Sequence, residues 1–185
     1  MTARRRRAKP PTYSVRPSRR ADTEVLVRHR QGMWKDIGIH TPDEIRKAGP
    51  RYRWWLGRES RARRFFGFVA VGTKGEVVGS GAVWLQPSQP RPGALARLEM
   101  PYIMSMYTEP AFRRRGVGTL LVAEMIRWAR RRGFARITLH ASAQGRPIYR
   151  DLGFEGSNEM RLSLVGGTSS PPRAKTAPGR RRRRV

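Results

Sequence analysis

Arg113-Arg114-Arg115-Gly116-Val117-Gly118 lies between a strand-like run, Tyr102 to Thr108, and a helix-like run, Thr119 to Arg132. A glycine-bearing turn that opens a helix presents a row of backbone N–H groups with no intrahelical partner, together with the positive end of the helix dipole. That combination suits a phosphate-bearing ligand. Alone, the pattern Arg-x-x-Gly-x-Gly is short, and in a chain this rich in Arg and Gly it is expected by chance roughly 0.3 times. A Gly turn also serves plain strand-to-helix packing, so the flanking sequence has to decide between the two.

Downstream, Val117, Leu120, Leu121, Met125 and Trp128 recur at helical spacing and define one buried stripe. Arg127, Arg130, Arg131 and Arg132 suit the negative end of that helix, and Gly133 fits its C′ position. Ala135, Ile137, Leu139 and Ala141 alternate with Arg136, Thr138 and His140, the period of a strand. Ser142 is placed to cap a short helix through Leu152, closed by Gly153, and Phe154 to Leu164 predicts a last antiparallel strand or pair.

Upstream, Thr12 to Arg16 reads as a short first strand ended by Pro17, and Asp22 as the N-cap of a helix through about Trp34. Thr41-Pro42-Asp43-Glu44 is a capping box with Pro at N1; its helix should turn Ile45, Ala48, Tyr52, Trp55 and Leu56 inward, and Gly49-Pro50 should kink or split it. Phe65 to Val71 and Glu76 to Leu85 form a hairpin across Gly72-Thr73-Lys74-Gly75. The stretch Gln86 to Gly93, with three prolines, reads as a loop before the long strand that ends near Thr108. The order is strand, two helices, three strands, helix, strand, helix, and a final strand or two: an α/β sandwich with a mixed sheet.

Composition narrows the chemistry. The 185 residues suffice for one domain with a real core. The absence of Cys excludes disulfides, thiolate metal sites and Cys nucleophiles, and the scattered His29, His40 and His140 argue against zinc. No apolar stretch approaches ~18 residues and no signal-peptide core follows the basic N-terminus, so a cytoplasmic setting without membrane contact is expected. The formal net charge is +27. Residues 1–11 hold five Arg or Lys and residues 166–185 hold seven, with no acid in either stretch, and both read as disordered basic tails. The surface therefore favours non-specific contact with polyanions such as RNA or ribosomes, weakening in salt, or is simply solvated.

Tyr107-Thr108-Glu109-Pro110 before the hexamer, and Ile148-Tyr149-Arg150-Asp151-Leu152-Gly153-Phe154 after it, complete a pattern that resembles the GNAT (GCN5-related) N-acetyltransferase superfamily. The resemblance covers roughly residues 12–164 and is strongest over 100–164; it places an acetyltransferase domain at 12–165. It implies a mixed, mostly antiparallel sheet flanked by helices, with splayed central strands, and acetyl-CoA as cosubstrate without a metal. Met106, Tyr107 and Thr108 would pair their backbone with the pantetheine arm. Arg114, Arg115, Gly116, Val117, Gly118 and Thr119 would donate N–H groups to the pyrophosphate, each contact contributing about 0.3–2 kcal/mol. Arg113 would brace the turn or meet a phosphate. Tyr149 would give a proton to the departing thiolate, a transfer uphill by about 2 kcal/mol and therefore late; its other role is core packing.

The acceptor amine is open, and so is the base. Where family members carry an Asn or a basic Glu, this chain has Ser142, Ile137 and Tyr102. Glu99, Glu109 and His140 are the candidates through a water relay, with Glu109 also reading as a solvated turn residue and His140 as structural. Met100, Tyr102, Met104 and Met106 are expected on one strand face, with Ile103, Ser105 and Tyr107 on the other, and Tyr52, Trp54 and Trp55 either border the acceptor site or pack. The rival to catalysis is a GNAT-like module that binds polyanions with little turnover.

Overall fold

The computed structural model describes residues 13–90 and 98–160. Its elements are β1 (Ser14–Pro17), α1 (Thr23–Ile37), α2 (Pro42–Arg61), β2 (Phe65–Val71), β3 (Val77–Pro87), β4 (Glu99–Thr108), α3 (Val117–Arg131), β5 (Thr138–Leu139) and α4 (Arg146–Asp151), with single 3-10 turns at Arg20–Asp22 and Pro110–Phe112. All belong to a compact unit that ends at Phe154; of the second unit, 155–185, only 155–160 are described and they hold no helix or strand. The predicted tails and the end of the predicted final strand, 161–164, lie outside the described residues.

The strands form one sheet in the order β1-β2-β3-β4-β5. The first three pairings are antiparallel, and β4 pairs β5 in parallel. This is the mixed, mostly antiparallel α/β sheet flanked by helices that the sequence predicts. On one face α3 buries Val117, Leu121, Val122, Met125 and Trp128 against Phe68, Val83, Leu85 and Ile103. On the other, Leu26 and Val27 of α1 and Tyr52 and Leu56 of α2 pack on Phe65, Val69 and Ala82. Two faces, each covered by helices, leave the strand ends as the place for chemistry.

Several local expectations change. Asp22 stands at the N-cap position of α1 as expected, but its side chain does not cap the helix: the carboxylate turns back to accept from the Arg19 N–H at 2.6 Å and pairs with Arg16 at 2.7 Å, and α1 runs on to Ile37, where left-handed Gly38 closes it. The Thr41 box forms as expected, the Glu44 carboxylate accepting from the Thr41 N–H at 2.7 Å. Gly49-Pro50 does not split α2, which continues through Pro50; Tyr52, Leu56 and Glu59 anchor the second half while Ala48 is exposed and Gly49 buried. Gln86 and Pro87 belong to β3 and face Met100 and Glu99, because β2 stops at Trp84's partner and leaves them on an edge where Pro is tolerated. The predicted strand 135–141 shrinks to Thr138–Leu139. Gly145 rather than Ser142 precedes α4, Ser142 instead accepting the Gly145 N–H at 3.2 Å. Residues 154–160 form no strand.

Candidate active site

The site begins with a fault in β4. Ser80 of β3 faces Tyr107 and Ala82 faces Met104, so β4 carries one extra residue there, a bulge with Ser105 at φ 54°. An extra residue reverses the alternation of every side chain beyond it. Met104 accordingly packs with the α1–α2 face while Met106 packs with the α3 face. The expected common face for Met100, Tyr102, Met104 and Met106 is thus broken at Ser105. Gly81 makes room for this turn: a Cβ there would lie 2.3 Å from the Met106 Sδ and 2.7 Å from the Met125 Cε.

β5 pairs only with Tyr102 and Ile103. From Met104 to Thr108 that edge of β4 has no strand partner among the described residues. Met106, Tyr107 and Thr108 therefore lie along an open edge, as the splayed arrangement requires.

The Arg113–Gly118 turn follows at the end of that edge. The Phe112 N–H donates to Glu109 O at 2.9 Å and Arg113 N–H to Pro110 O at 3.3 Å. The next amide with a partner is Leu120, donating to Gly116 O at 3.0 Å. Between them the N–H groups of Arg114, Arg115, Gly116, Val117, Gly118 and Thr119 donate to no described residue. Arg114 at φ 60° and Gly116 at φ 80° bend the chain so that this run opens α3, and nothing within 4 Å occupies the space a Gly116 Cβ would fill. Six unspent donors at a helix start form an electropositive concavity suited to a diphosphate. Arg113 braces it: Nε donates to Thr108 O at 3.0 Å, Nη2 pairs with Asp36 at 2.6 Å, and the guanidinium lies 5.5 Å from the Tyr107 ring centre. Arg114 and Arg115 are exposed and form no ion pair among the described residues.

Tyr149 sits half-buried on α4, its ring edge-on to Phe154 with centroids 5.8 Å apart. Burial, and to a smaller degree the neighbouring Tyr102 phenol, pushes its pKa above the usual tyrosine value, so the proton stays on oxygen. The hydroxyl donates to no described residue. Its neighbour Ile148 rests beside Gly118, where an added Cβ would be 3.2 Å from the Ile148 Cδ1. α4 thus docks on the start of α3, bringing Tyr149 to the same end of the fold as the turn.

Opposite the α3 face, two adjoining cavities share Gln31 and Ile45. One, of about 410 Å³, is walled by Trp34, Tyr52, Trp55, Trp84 and Met104, with Arg30 among its lining residues. The other, of about 650 Å³, lies between Gly32, Lys35, Arg46, Tyr107 and Glu109. Tyr107 reaches this side because Gly32 has no side chain; a Cβ there would meet the ring at 2.7 Å. The aromatic trio divides: Tyr52 and Trp55 wall the cavity, whereas Trp54 is 61% exposed and stacks under Arg58.

The base candidates divide as well. Glu99 pairs with Pro87 at the far end of β4. His140 hydrogen-bonds the Tyr102 hydroxyl through Nδ1. Glu109 is not a solvated turn residue: its carboxylate meets Nε2 of the fully buried His29 at 3.0 Å, with Arg28 at 3.5 Å, and it lines the second cavity. No local pattern marks His29, Arg30 or Ser105 as site residues; a glycine inside a strand, Gly81, is the one sequence signal for the bulge.

A mixed sheet with an open β4 edge thus ends in an amide-lined turn, with Tyr149 at the same end of the fold. Residues 29–154 match the model of the acetyltransferase (GNAT) family, and the chain belongs to that family. A glucosamine 6-phosphate N-acetyltransferase of Trypanosoma brucei brucei is 30% identical over 91 residues, 49% of this chain and 59% of that protein. The chain thus spans about three-fifths of the length of that curated relative. Among solved structures, a GCN5-related N-acetyltransferase from Ralstonia eutropha is 26% identical with a TM-score of 0.74, covering 83% of this chain and 99% of its own. A predicted acetyltransferase from Clostridium acetobutylicum, determined with acetyl-CoA, shares the fold at 23% identity and a TM-score of 0.73, covering 83% and 97%.

Proposed function

We propose that the chain is an acetyl-CoA-dependent N-acetyltransferase that passes the acetyl group directly to an amine. The observation that carries this reading is the run of six unspent amides, Arg114 to Thr119, placed at the end of an unpaired strand edge. Bound acetyl-CoA supplies an acetyl group activated as a thioester. Arg114, Arg115, Gly116, Val117, Gly118 and Thr119 bind its diphosphate through backbone N–H groups, with Arg113 holding the turn in shape through Thr108 and Asp36. The backbone of Met106, Tyr107 and Thr108 aligns the pantetheine arm as an added strand would align, and N–H groups along that edge polarise the thioester oxygen.

Tyr149 protonates the sulfur as the C–S bond breaks and the N–C bond forms. Its raised pKa keeps it a hydrogen-bond donor through neutral pH. Of Glu99, Glu109 and His140, Glu109 lines the second cavity and takes the amine proton through water. Transfer is direct, without a covalent enzyme intermediate: the chain has no Cys, and Ser80, which meets Nδ1 of His29 at 2.8 Å, is buried at 1% exposure and lines neither cavity.

Calorimetry of the full chain with acetyl-CoA, followed by thiol release in a mixture of amines, tests the reading. Binding within about 1 μM–1 mM and amine-dependent thiol release are expected. No binding at millimolar acetyl-CoA overturns it and favours the polyanion-binding module.

A further inference from the structure

We infer that the acceptor carries an anionic group, a carboxylate or a phosphate, taken by the Arg30 guanidinium inside the aromatic cavity; this rests on the acetyltransferase reading above. Arg30 is a half-buried cation without an anion. Nη1 donates to the Ser105 hydroxyl at 2.8 Å, and the guanidinium lies 4.4 Å from the Tyr52 ring centre and 5.6 Å from that of Trp34. No carboxylate of the described residues pairs with it, although Arg53 and Arg113, both exposed, are each paired, with Glu24 and Asp36. Burial pushes its pKa below the usual arginine value, with Tyr52 and Tyr102 pulling the other way, yet a guanidinium stays charged at any working pH. A carboxylate or phosphate matches the remaining donors of the fork, and such pairs are strong where water is partly excluded.

Position and surroundings point the same way. Arg30 is tethered to Ser105, the bulge residue, so an anion held there sits next to the point where β4 separates from β5. The aromatic cavity has no Asp or Glu in its lining. The adjoining cavity has Arg28, Lys35 and Arg46 around Glu109, which is already engaged by His29 and Arg28. A polycationic acceptor would meet three cations against the single, already engaged Glu109 carboxylate, whereas an anion is drawn inward. Trp34, Tyr52, Trp55 and Trp84 then cover an apolar or flat body between the anion and the amine.

The test pairs amines that differ in the anion alone: phenylalanine against 2-phenylethylamine for carboxylate, glucosamine 6-phosphate against glucosamine for phosphate. The full chain should show a kcat/KM at least about tenfold higher for the anionic member of one pair, and which pair responds distinguishes carboxylate from phosphate. Arg30→Met should collapse that ratio toward one. Quenching of the wall tryptophans by glucosamine 6-phosphate but not by glucosamine, or the same contrast within the phenylalanine pair, gives a readout on the unaltered protein should the variant fail to fold. Equal or better turnover of the anion-free members, or a ratio that survives Arg30→Met, overturns the inference. Calorimetry with acetyl-CoA separates the two failures: cofactor binding and turnover without anion preference sink this inference alone, and absent cofactor binding sinks the acetyltransferase reading beneath it.

Discussion

On the β5 side of β4 the groups proposed to hold acetyl-CoA are the backbone of 106–108 and the amides of 114–119, fixed by a bulge and a helix start. On the α1–α2 side the cavity is lined by side chains from four elements: Arg30 and Trp34 of α1, Tyr52 and Trp55 of α2, Trp84 of β3 and Met104 of β4. Amides carry the same donor whatever the residue, so the first region requires only a backbone path and glycine where oxygen must approach. The second can be rebuilt by substitution without moving the first. A superfamily that holds one cosubstrate and varies its acceptor needs this division. If the division holds here, substitutions on one side should leave the other side's binding alone.

The largest effect is expected at Glu59, which supports the Trp84 wall of the aromatic cavity. Its carboxylate is 1% exposed, accepts from the Trp84 indole at 3.1 Å, and pairs with Arg64 at 2.8 Å and Arg58 at 2.9 Å. Arg64 above all holds its pKa down to about 2, against the opposing effect of burial. Glu59→Ala leaves two guanidinium groups and an indole N–H short of a partner, and thermal or urea unfolding should register a loss of about 3 kcal/mol. Because the native pKa lies below the unfolded one, the carboxylate's stabilising contribution is present above about pH 4.5 and drains away as the pH falls toward 2. Acetyl-CoA affinity of the folded variant should stay as it was; a parallel loss of cofactor binding would break the separation of the two sides.

Tyr149→Phe comes next. It removes the hydroxyl but keeps the ring against Phe154, so the fold should survive. A fall of about a hundredfold in kcat with an unchanged acetyl-CoA dissociation constant is the expected result. Unchanged kcat would leave Tyr149 a packing residue. Smaller again is Gly118→Val: the new side chain meets Ile148 and crowds an amide meant for phosphate, so acetyl-CoA binding should weaken by about tenfold while the acceptor KM holds. Equal weakening of both would mean that the helix start and the acceptor wall move together.

The same division explains what could be read in advance. The amide-lined turn, the α3 stripe and the Thr41 box are local patterns, each decided by residues within a few positions of one another, and all appear where the sequence puts them. The aromatic cavity depends on contacts such as Arg30 to Ser105 and Glu59 to Trp84, distant in sequence and silent in any periodicity. Asp22 misled for a related reason: it is well placed to cap α1, but the Arg19 amide and the Arg16 guanidinium compete for its carboxylate and win. The strand expected over 135–141 had a sound alternation, yet only Thr138 and Leu139 find a partner before β4 bends away at Ser105.

The smallest effect probes the seam between the two regions. His29 of α1 is fully buried, with Nδ1 2.8 Å from the Ser80 Oγ of β3 and Nε2 3.0 Å from the Glu109 carboxylate at the mouth of the turn. A carboxylate can only accept, so Nε2 carries the proton, and in the neutral ring Nδ1 accepts from the serine hydroxyl. Burial is the main influence on this histidine and lowers its pKa, with Glu109 pulling the other way. A native pKa below the unfolded value makes the unfolded chain the better proton binder on the acid side of neutrality. Stability is therefore complete above about pH 6.5 and declines below it, with a slope of at most about 1.4 kcal/mol per pH unit. His29→Gln keeps a donor toward Glu109 and does not titrate, so its urea midpoints should be flatter than wild type between pH 6.5 and 5. That window lies above the one governed by Glu59, and a slope that persists in His29→Gln would place the acid sensitivity elsewhere and leave α1 linked to the cofactor turn by packing alone.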